Sequence, residues 1–191
     1  MAFIPASAVP SPRVPSGEIT RSWYERVLGW PVAGGPPDRL LTGIRFDALE
    51  LPADAGAALL ARLAGAATGP VAVEGRRMWF LVAPGCAEEL DGLLDWLEWG
   101  GVALDLTALG AGGGITAPVP PGERPRGAAV WLRPPELGCE ASLPALPGPG
   151  QDTCPGQRAC GPDLVRLVAA AATECHRARL RRRTPQPLAF S

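Results

Sequence analysis

The chain has 191 residues, enough for one domain with a hydrophobic core and terminal tails. Hydrophobic residues make up 47% of it, which excludes a wholly disordered protein. The formal net charge is −1, so composition gives no general attraction to nucleic acid or to anionic membranes, and a polyanion site would have to be local. All 18 basic residues are arginine, and the abundance of Ala, Gly, Pro and Arg is typical of a GC-rich genome.

Targeting signals and cysteine usage together predict a cytoplasmic protein. The first ten residues lack a basic segment and a long apolar run, so no secretion signal is expected, and no stretch approaches the roughly 20 apolar residues of a membrane span. Five cysteines with irregular spacing argue against a disulfide framework. Cys139, Cys154, Cys160 and Cys175, with adjacent His176, could supply zinc ligands. They form no closely spaced pair, so we expect no zinc, and the role of these cysteines stays open.

Shifts in composition divide the chain into five segments. The glycine- and proline-rich stretches contrast with the periodic apolar patterns between them. The predicted segments are a flexible lead-in over 1–17, a domain over 18–135, a loop or linker over 136–162, a terminal helix over 163–183 and a tail over 184–191.

Apolar periodicity predicts the elements of the domain. In chain order, we expect a helix over 17–28, a strand over 40–51 with a break at Gly43, a helix over 54–63, a hairpin of strands 70–74 and 78–82, a helix over 87–99, and strands over 102–106, 115–119 and 128–132. The helix over 87–99 has the clearest pattern, because leucines recur on one side and carboxylates on the other. The order of elements predicts an α+β fold, with helices packed on a largely antiparallel sheet and a C-terminal helix.

Five short motifs follow one another across about residues 26–135. They are Gly29-Trp30-Pro31-Val32, Thr42-Gly43 before an apolar strand, Glu74-Gly75-Arg76-Arg77-Met78-Trp79-Phe80, Val102-Ala103-Leu104-Asp105-Leu106 before a glycine-rich turn, and Val130-Trp131. In this order they resemble the N-terminal domain of the bifunctional DNA primase/polymerases (prim-pol), in the archaeo-eukaryotic primase superfamily. The ordered set carries the resemblance, because each motif alone is short.

The resemblance implies a two-metal site for nucleotidyl transfer, with Mg²⁺ or Mn²⁺ held by carboxylates. The family's pair of carboxylates falls on Glu50 and Pro52, and its third carboxylate falls on Asp105. Pro52 cannot bind a metal, and Asp47 is a poor substitute because it lies on the opposite face of a regular strand from Glu50. The family's phosphate-binding histidine falls on Arg77, which can bind a phosphate but cannot transfer a proton.

The candidate site residues therefore fall into three groups. Glu50 and Asp105 are the candidate catalytic and metal-binding residues, with Asp47 a distant third. Arg76 and Arg77 are the candidate nucleotide- or phosphate-binding residues. The arginine-rich end of the terminal helix supplies candidate nucleic-acid contacts at Arg177, Arg181 and Arg182, although cations there also complement the helix dipole. Each of these residues has a structural alternative as a solvated surface charge.

Three functional hypotheses follow. In the first, the chain is a catalytically degenerate prim-pol-like domain that binds nucleic acid or nucleotide, or acts as a regulatory module. In the second, it is a divergent metal-dependent primase/polymerase. In the third, it is a protein-interaction module that uses the acidic helix 87–99 and the terminal helix. The expected partners are thus nucleotide, DNA or a protein, with no membrane, and the oligomeric state stays open.

Overall fold

The computed structural model describes residues 16–64, 68–122, 129–146 and 163–183. Most of the predicted lead-in, the part of the predicted linker over 147–162 with Cys154 and Cys160, and the predicted tail lie outside the described residues. Within the described ranges the fold is α+β, as the sequence predicts, with two antiparallel sheets and a C-terminal helix.

The described helices are interspersed with groups of two or three strands along the chain. The α-helices are α1 (Ser16–Trp23), α2 (Ala53–Arg62), α3 (Leu90–Trp96) and α4 (Leu164–Arg183), with a π-helical turn at Tyr24–Leu28 and a 3-10 turn at Cys139–Ser142. The strands are β1 (Val32–Ala33), β2 (Arg39–Leu41), β3 (Asp47–Pro52), β4 (Val71–Glu74), β5 (Arg77–Val82), β6 (Thr107–Leu109), β7 (Gly114–Thr116) and β8 (Val130–Arg133). None of the described helices is long and apolar enough to cross a membrane.

The five-stranded sheet has the order β6-β3-β5-β4-β8 and forms the centre of the molecule. Its register places Glu50 of β3 opposite Trp79 of β5 on one side and Thr107 of β6 on the other. The predicted hairpin is confirmed as β4 and β5, joined by a turn in which Gly75 has a φ of +55°. A left-handed backbone conformation of this kind favours glycine, which explains the residue found there.

The predicted strand over 40–51 divides at its expected break into β2 and β3, which belong to different sheets. Gly43 has a φ of +84°, and a Cβ there would overlap the backbone of Ala111. The small sheet, with the order β1-β2-β7, therefore folds back over the large one. Thr42 stabilises the turn, because its Oγ1 donates a hydrogen bond of 2.6 Å to the carbonyl oxygen of Gly110.

Side chains on β3 and β5 alternate between two hydrophobic cores, one on each face of the large sheet. On β5, Phe80 points into the first core, where α2, α3 and α4 pack, whereas Trp79 and Leu81 point into the second. The second core lies under the π-helical turn and the small sheet, and it contains Trp30 and Leu40. The chain thus has three layers, with the large sheet in the middle.

Polar contacts fix the chain around the second core. The Tyr24 hydroxyl donates a hydrogen bond of 2.6 Å to the Pro118 carbonyl oxygen and accepts one of 2.8 Å from Nε1 of Trp131. Burial raises the pKa of Tyr24 and outweighs the opposing effect of the Trp131 hydrogen bond. Trp30 donates from Nε1 to Glu140 at 2.6 Å, which attaches the 3-10 turn to this core. These contacts satisfy the polar groups of large buried rings.

Three predicted elements need correction. The strand expected over 102–106 is wrong, because these residues form a loop and β6 begins only at Thr107. The helix expected over 87–99 is shorter, since α3 covers Leu90–Trp96 between turns. The strand expected over 115–119 is reduced to β7, after which Val119 makes one isolated bridge to Val130.

Candidate functional site

The candidate site lies at one end of the large sheet, where β3 ends and both β5 and β6 begin. Antiparallel pairing brings these ends together, since Pro52 is opposite Arg77 and Glu50 is opposite Thr107. Asp105 lies two residues before Thr107, in the loop that enters β6. Three of the predicted site residues, Glu50, Arg77 and Asp105, therefore meet at this end of the sheet.

Arg77 joins the two carboxylates directly. Its Nε donates a hydrogen bond of 2.6 Å to Oε1 of Glu50, and its Nη1 donates one of 2.7 Å to Oδ1 of Asp105. The side chains of Arg77, Glu50 and Asp105 are 31%, 22% and 49% exposed, respectively. The guanidinium thus lies between two partly exposed carboxylates, and these charge-assisted hydrogen bonds hold it there.

A second guanidinium extends this arrangement to the terminal helix. Arg182 of α4 lies with Nη1 3.9 Å from Oδ2 of Asp105, and its Nη2 donates a hydrogen bond of 2.5 Å to Oδ1 of Asp54 at the start of α2. We call Glu50, Asp54, Arg77, Asp105 and Arg182 the Arg77 cluster. It contains three carboxylates and two guanidinium groups, so its formal charge is −1.

The charges of the cluster act on the pKa of Arg77 and of Cys175. Burial lowers the pKa of Arg77, but the hydrogen bonds to Asp105 and Glu50 and the charges of both carboxylates outweigh burial, so the pKa is raised. Cys175 of α4 lies behind the cluster, with its Sγ 3.6 Å from the backbone oxygen of Asp105. Burial, and secondarily the charge of Asp105, raises the pKa of the Cys175 thiol to about 12. Both groups therefore keep their protons near neutral pH.

The Arg77 cluster has limited capacity for a metal ion. Glu50 and Asp105 could each offer a carboxylate oxygen, but both accept hydrogen bonds from Arg77. Pro52 stands where the resemblance requires a second carboxylate, and it pairs with Arg77 in the sheet. Within the described ranges, no group of three or more His, Cys, Asp or Glu side chains is arranged to hold a metal. Oε1 of Glu50 and Oδ1 of Asp105 would become open to a divalent cation only if the guanidinium of Arg77 moved away.

Two other predicted site residues lie outside the Arg77 cluster. Asp47 is buried at the start of β3, where its Oδ2 accepts a hydrogen bond of 2.9 Å from the backbone nitrogen of Ala87. Its other oxygen, Oδ1, is buried without a hydrogen-bond partner among the described residues. Arg76 is exposed in the β4–β5 turn, and its backbone oxygen accepts a hydrogen bond from Ala53. Neither side chain contributes to the Arg77 cluster.

The predicted nucleic-acid contacts on α4 have different surroundings. Arg177 donates a hydrogen bond of 2.8 Å to the buried carboxylate of Glu174, which also accepts one of 3.2 Å from Arg62 of α2. Arg182 belongs to the Arg77 cluster. Arg181, by contrast, is exposed and forms no ion pair with a described residue. Arg182 therefore joins α4 to α2 and to the loop before β6, whereas the ion pair of Arg177 lies within α4.

Asp54 and Glu174 are ion-pair partners of arginines that the sequence analysis did not identify. Asp54 lies 128 positions from its partner Arg182, and Glu174 lies 112 positions from Arg62. Asp54 in the first turn of α2 has a local explanation, because carboxylates stabilise helix N-termini. The only sequence signal for Glu174 is a single carboxylate within an otherwise apolar and basic helix.

The tryptophans around α3 divide into one exposed and one packed residue. Trp96 is 71% exposed on the outer side of α3. Trp99, three residues further on, packs against the His176 ring of α4, with the ring centroids 5.6 Å apart.

Comparisons with protein-family models, with curated proteins and with solved structures found no match to this chain.

Proposed function

We propose that the chain is a catalytically inactive, prim-pol-like α+β domain that works as a binding or regulatory module. The observation that carries this proposal is the guanidinium of Arg77 between Glu50 and Asp105, where a polymerase of the resembled family would hold its metal ions. Two-metal nucleotidyl transfer needs cations that also bind the substrate phosphates. A guanidinium that is fixed between two carboxylates does not supply that function.

Pro52 supports the same proposal independently of Arg77. A buried proline at the end of β3 has no group that can bind a metal, so the carboxylate pair of the resembled family is reduced to Glu50. Asp47 does not compensate for this loss, because it lies at the other end of β3 and accepts a hydrogen bond from Ala87. An active polymerase would have to work with two carboxylates, both already paired with an arginine.

Metal binding and nucleotide incorporation test this proposal together. Titration of the protein with Mn²⁺, followed by electron paramagnetic resonance, is expected to show no specific binding, and a primed template is expected to show no metal-dependent extension. Arg77→Met is expected to bind Mn²⁺ more tightly than wild type, because it frees two carboxylates without adding a ligand. Arg76→Met, one residue away and outside the Arg77 cluster, is the matched control. Extension by wild type that is lost in Asp105→Ala would establish the alternative, a divergent primase/polymerase.

Nucleic-acid binding at the end of α4 is a second candidate function, favoured by Arg181 and Arg183. Both are exposed, and neither forms an ion pair with a described residue, so they are available to phosphates. Fluorescence polarisation with labelled single-stranded DNA should show binding that weakens steeply with salt. It should also weaken in Arg181→Ala but not in Arg166→Ala at the opposite end of α4. Equal loss in both variants would contradict a specific site there.

We also propose that the protein works in the cytoplasm with reduced thiols. Within the described ranges, Cys86, Cys139 and Cys175 are free thiols. Burial raises the pKa of each of them, to about 11 for Cys139 and about 12 for Cys175. Protonated thiols react slowly with disulfides, which is consistent with free cysteines in a reducing compartment.

A further inference from the structure

Charge is strongly segregated between α3 and the end of α4. From Met78 to Gly122 the chain contains carboxylates but no arginine, lysine or histidine, whereas Arg177 to Arg183 contains five arginines and no carboxylate. The acidic surface is formed by exposed carboxylates on α3 and its flanking turns, namely Glu88, Glu89, Asp91, Asp95 and Glu98. None of these five forms an ion pair with a described residue.

Trp96 lies within this acidic surface and is the only large apolar side chain on α3 that is mostly exposed. A tryptophan that is 71% exposed leaves a large apolar ring in water, and rings of this kind are typical anchors of protein interfaces. Glu89 lies seven residues earlier, on the same side of the helix, and Gly92 between them has no side chain to cover the ring. We call Glu88, Glu89, Gly92 and Trp96 the α3 patch. It offers an aromatic ring and negative charge to a cationic partner.

The end of α4 has the complementary chemistry. Arg181 and Arg183 are exposed, and neither forms an ion pair with a described residue. Leu180, between Arg179 and Arg181 in the sequence, is about half exposed. We call Leu180, Arg181 and Arg183 the α4 patch. A guanidinium can stack on an indole ring and pair with a carboxylate at the same time, so each patch matches the other in charge and in apolar character.

Both patches belong to the helical layer that covers the first core, since α3 and α4 both contribute to that core and contact each other. Trp99 packs against His176, and Arg179 donates a hydrogen bond to the backbone oxygen of Ala103, so the chain that follows α3 runs along the last turns of α4. Complementary patches within one layer allow a two-fold symmetric contact, because a half turn can set each patch over the copy of the other. A dimer of this kind closes on itself and leaves neither patch exposed.

We propose that the protein forms a salt-sensitive, two-fold symmetric dimer in which the α3 patch of each copy binds the α4 patch of the other. The dimer goes beyond the proposed function, and neither depends on the other. The patches are small, so the dimer is expected to be weak and to dissociate as salt screens its charges. Nucleic acid bound at the end of α4 would compete with it.

Sedimentation velocity over a range of protein concentrations tests the proposal with three double variants. Glu88→Arg with Glu89→Arg reverses the α3 patch, and Arg181→Glu with Arg183→Glu reverses the α4 patch. Each is expected to weaken dimerisation by about tenfold or more, because like charges then face each other at both contacts. Arg26→Glu with Arg166→Glu makes the same change in net charge as the α4 reversal, at exposed positions outside both patches, and it should dimerise like wild type.

Mixing the two reversed variants gives the decisive measurement. In a mixed dimer the reversed α3 patch faces the reversed α4 patch, and the two native patches face each other, so both contacts are again complementary. The mixture is expected to recover dimerisation at low salt, and Trp96→Ala in either partner is expected to weaken it. A wild-type protein that stays monomeric at low salt and high concentration would overturn the proposal. Failure of the mixture to recover, with both variants folded by circular dichroism, would overturn it as well.

Discussion

Arg77 donates hydrogen bonds from two of its nitrogens to carboxylates that come from different parts of the chain. Nε binds Glu50 of the neighbouring strand, and Nη1 binds Asp105 of the loop before β6. Two nitrogens of one planar guanidinium supply these bonds, whereas a lysine would have to donate both from a single ammonium nitrogen. The residue therefore acts as a structural cation at the end of the sheet.

Removal of this cation has a predictable cost. Arg77→Met leaves Glu50 and Asp105 close together without the charge that joins them, so the free energy of unfolding should fall by about 1–3 kcal/mol. Urea denaturation followed by circular dichroism measures the change. Arg76→Met, at an exposed turn position, should stay within about 0.5 kcal/mol of wild type. Equal losses in the two variants would mean that Arg77 contributes no more than an ordinary surface arginine.

Cys175 gives a pH-dependent prediction. Its pKa is raised from an ordinary value of 9.0 to about 12, so the unfolded thiol loses its proton at lower pH than the folded one. The contribution of Cys175 to stability is therefore fully present below pH 9 and declines as pH rises towards 12. Between pH 9 and pH 10 the decline should be about 1 kcal/mol. Cys175→Ala should remove this part of the pH dependence, and an unchanged profile in that variant would contradict the assignment.

The turn between β2 and β3 determines whether the small sheet can cover the second core. Gly43 combines a left-handed backbone conformation with a position against the Ala111 backbone, whereas Gly75 has a left-handed conformation in open space. Gly75→Ala should lower the free energy of unfolding by about 1–2 kcal/mol through backbone strain alone. Gly43→Ala adds a steric clash to the same strain, so it should cost clearly more in a urea titration. Equal costs would show that the turn can shift away from Ala111.

Short-range patterns were enough to predict several elements. The β4–β5 hairpin follows from two apolar runs around a glycine, and the break at Gly43 follows from that residue's permissive backbone. The strand expected over 102–106 failed, because alternating leucines predict strand wherever one side is buried. Here the segment runs along α4 instead, with Leu106 buried and Ala103 bonded to Arg179. The fold satisfies this apolar pattern without any sheet pairing.

The candidate site could be predicted only in part. Sequence motifs identified Glu50, Arg77 and Asp105, and the register of β3, β5 and β6 brings them together. That Arg77 would bind both carboxylates, and that Arg182 would join from α4, depends on side-chain contacts between distant segments. No local pattern contains that information, because separations of 27 to 128 positions are set by the packing of whole elements.

At the scale of the whole molecule, the large sheet serves two hydrophobic cores at once. Leu49 and Leu51 of β3 enter the first core, and Ala48, which precedes them, enters the second. Loss of order on one face must therefore disturb the residues that face the other side. The Arg77 cluster strengthens this coupling, since it joins the end of the sheet to both α2 and α4. The described chain should unfold as one cooperative unit.

A cavity in the first core tests this coupling with probes that lie in the second. Leu167 is buried where α4 packs on the sheet, so Leu167→Ala should lower the free energy of unfolding by about 2–5 kcal/mol. Trp30 and Trp79 belong to the second core, and Trp23 and Trp131 pack against it, whereas Trp99 packs against the first. Fluorescence therefore reports mainly on the face that the substitution does not touch.

Because both cores contain side chains of β3 and β5, the fluorescence midpoint in urea should shift by as much as the midpoint of the helical circular dichroism signal. Leu137→Ala, at a highly exposed position, should leave both midpoints within the error of wild type. A shift confined to the helical signal would mean that α4 can detach while the second core stays folded. The two faces of the sheet would then be separate folding units, and the Arg77 cluster would not couple them.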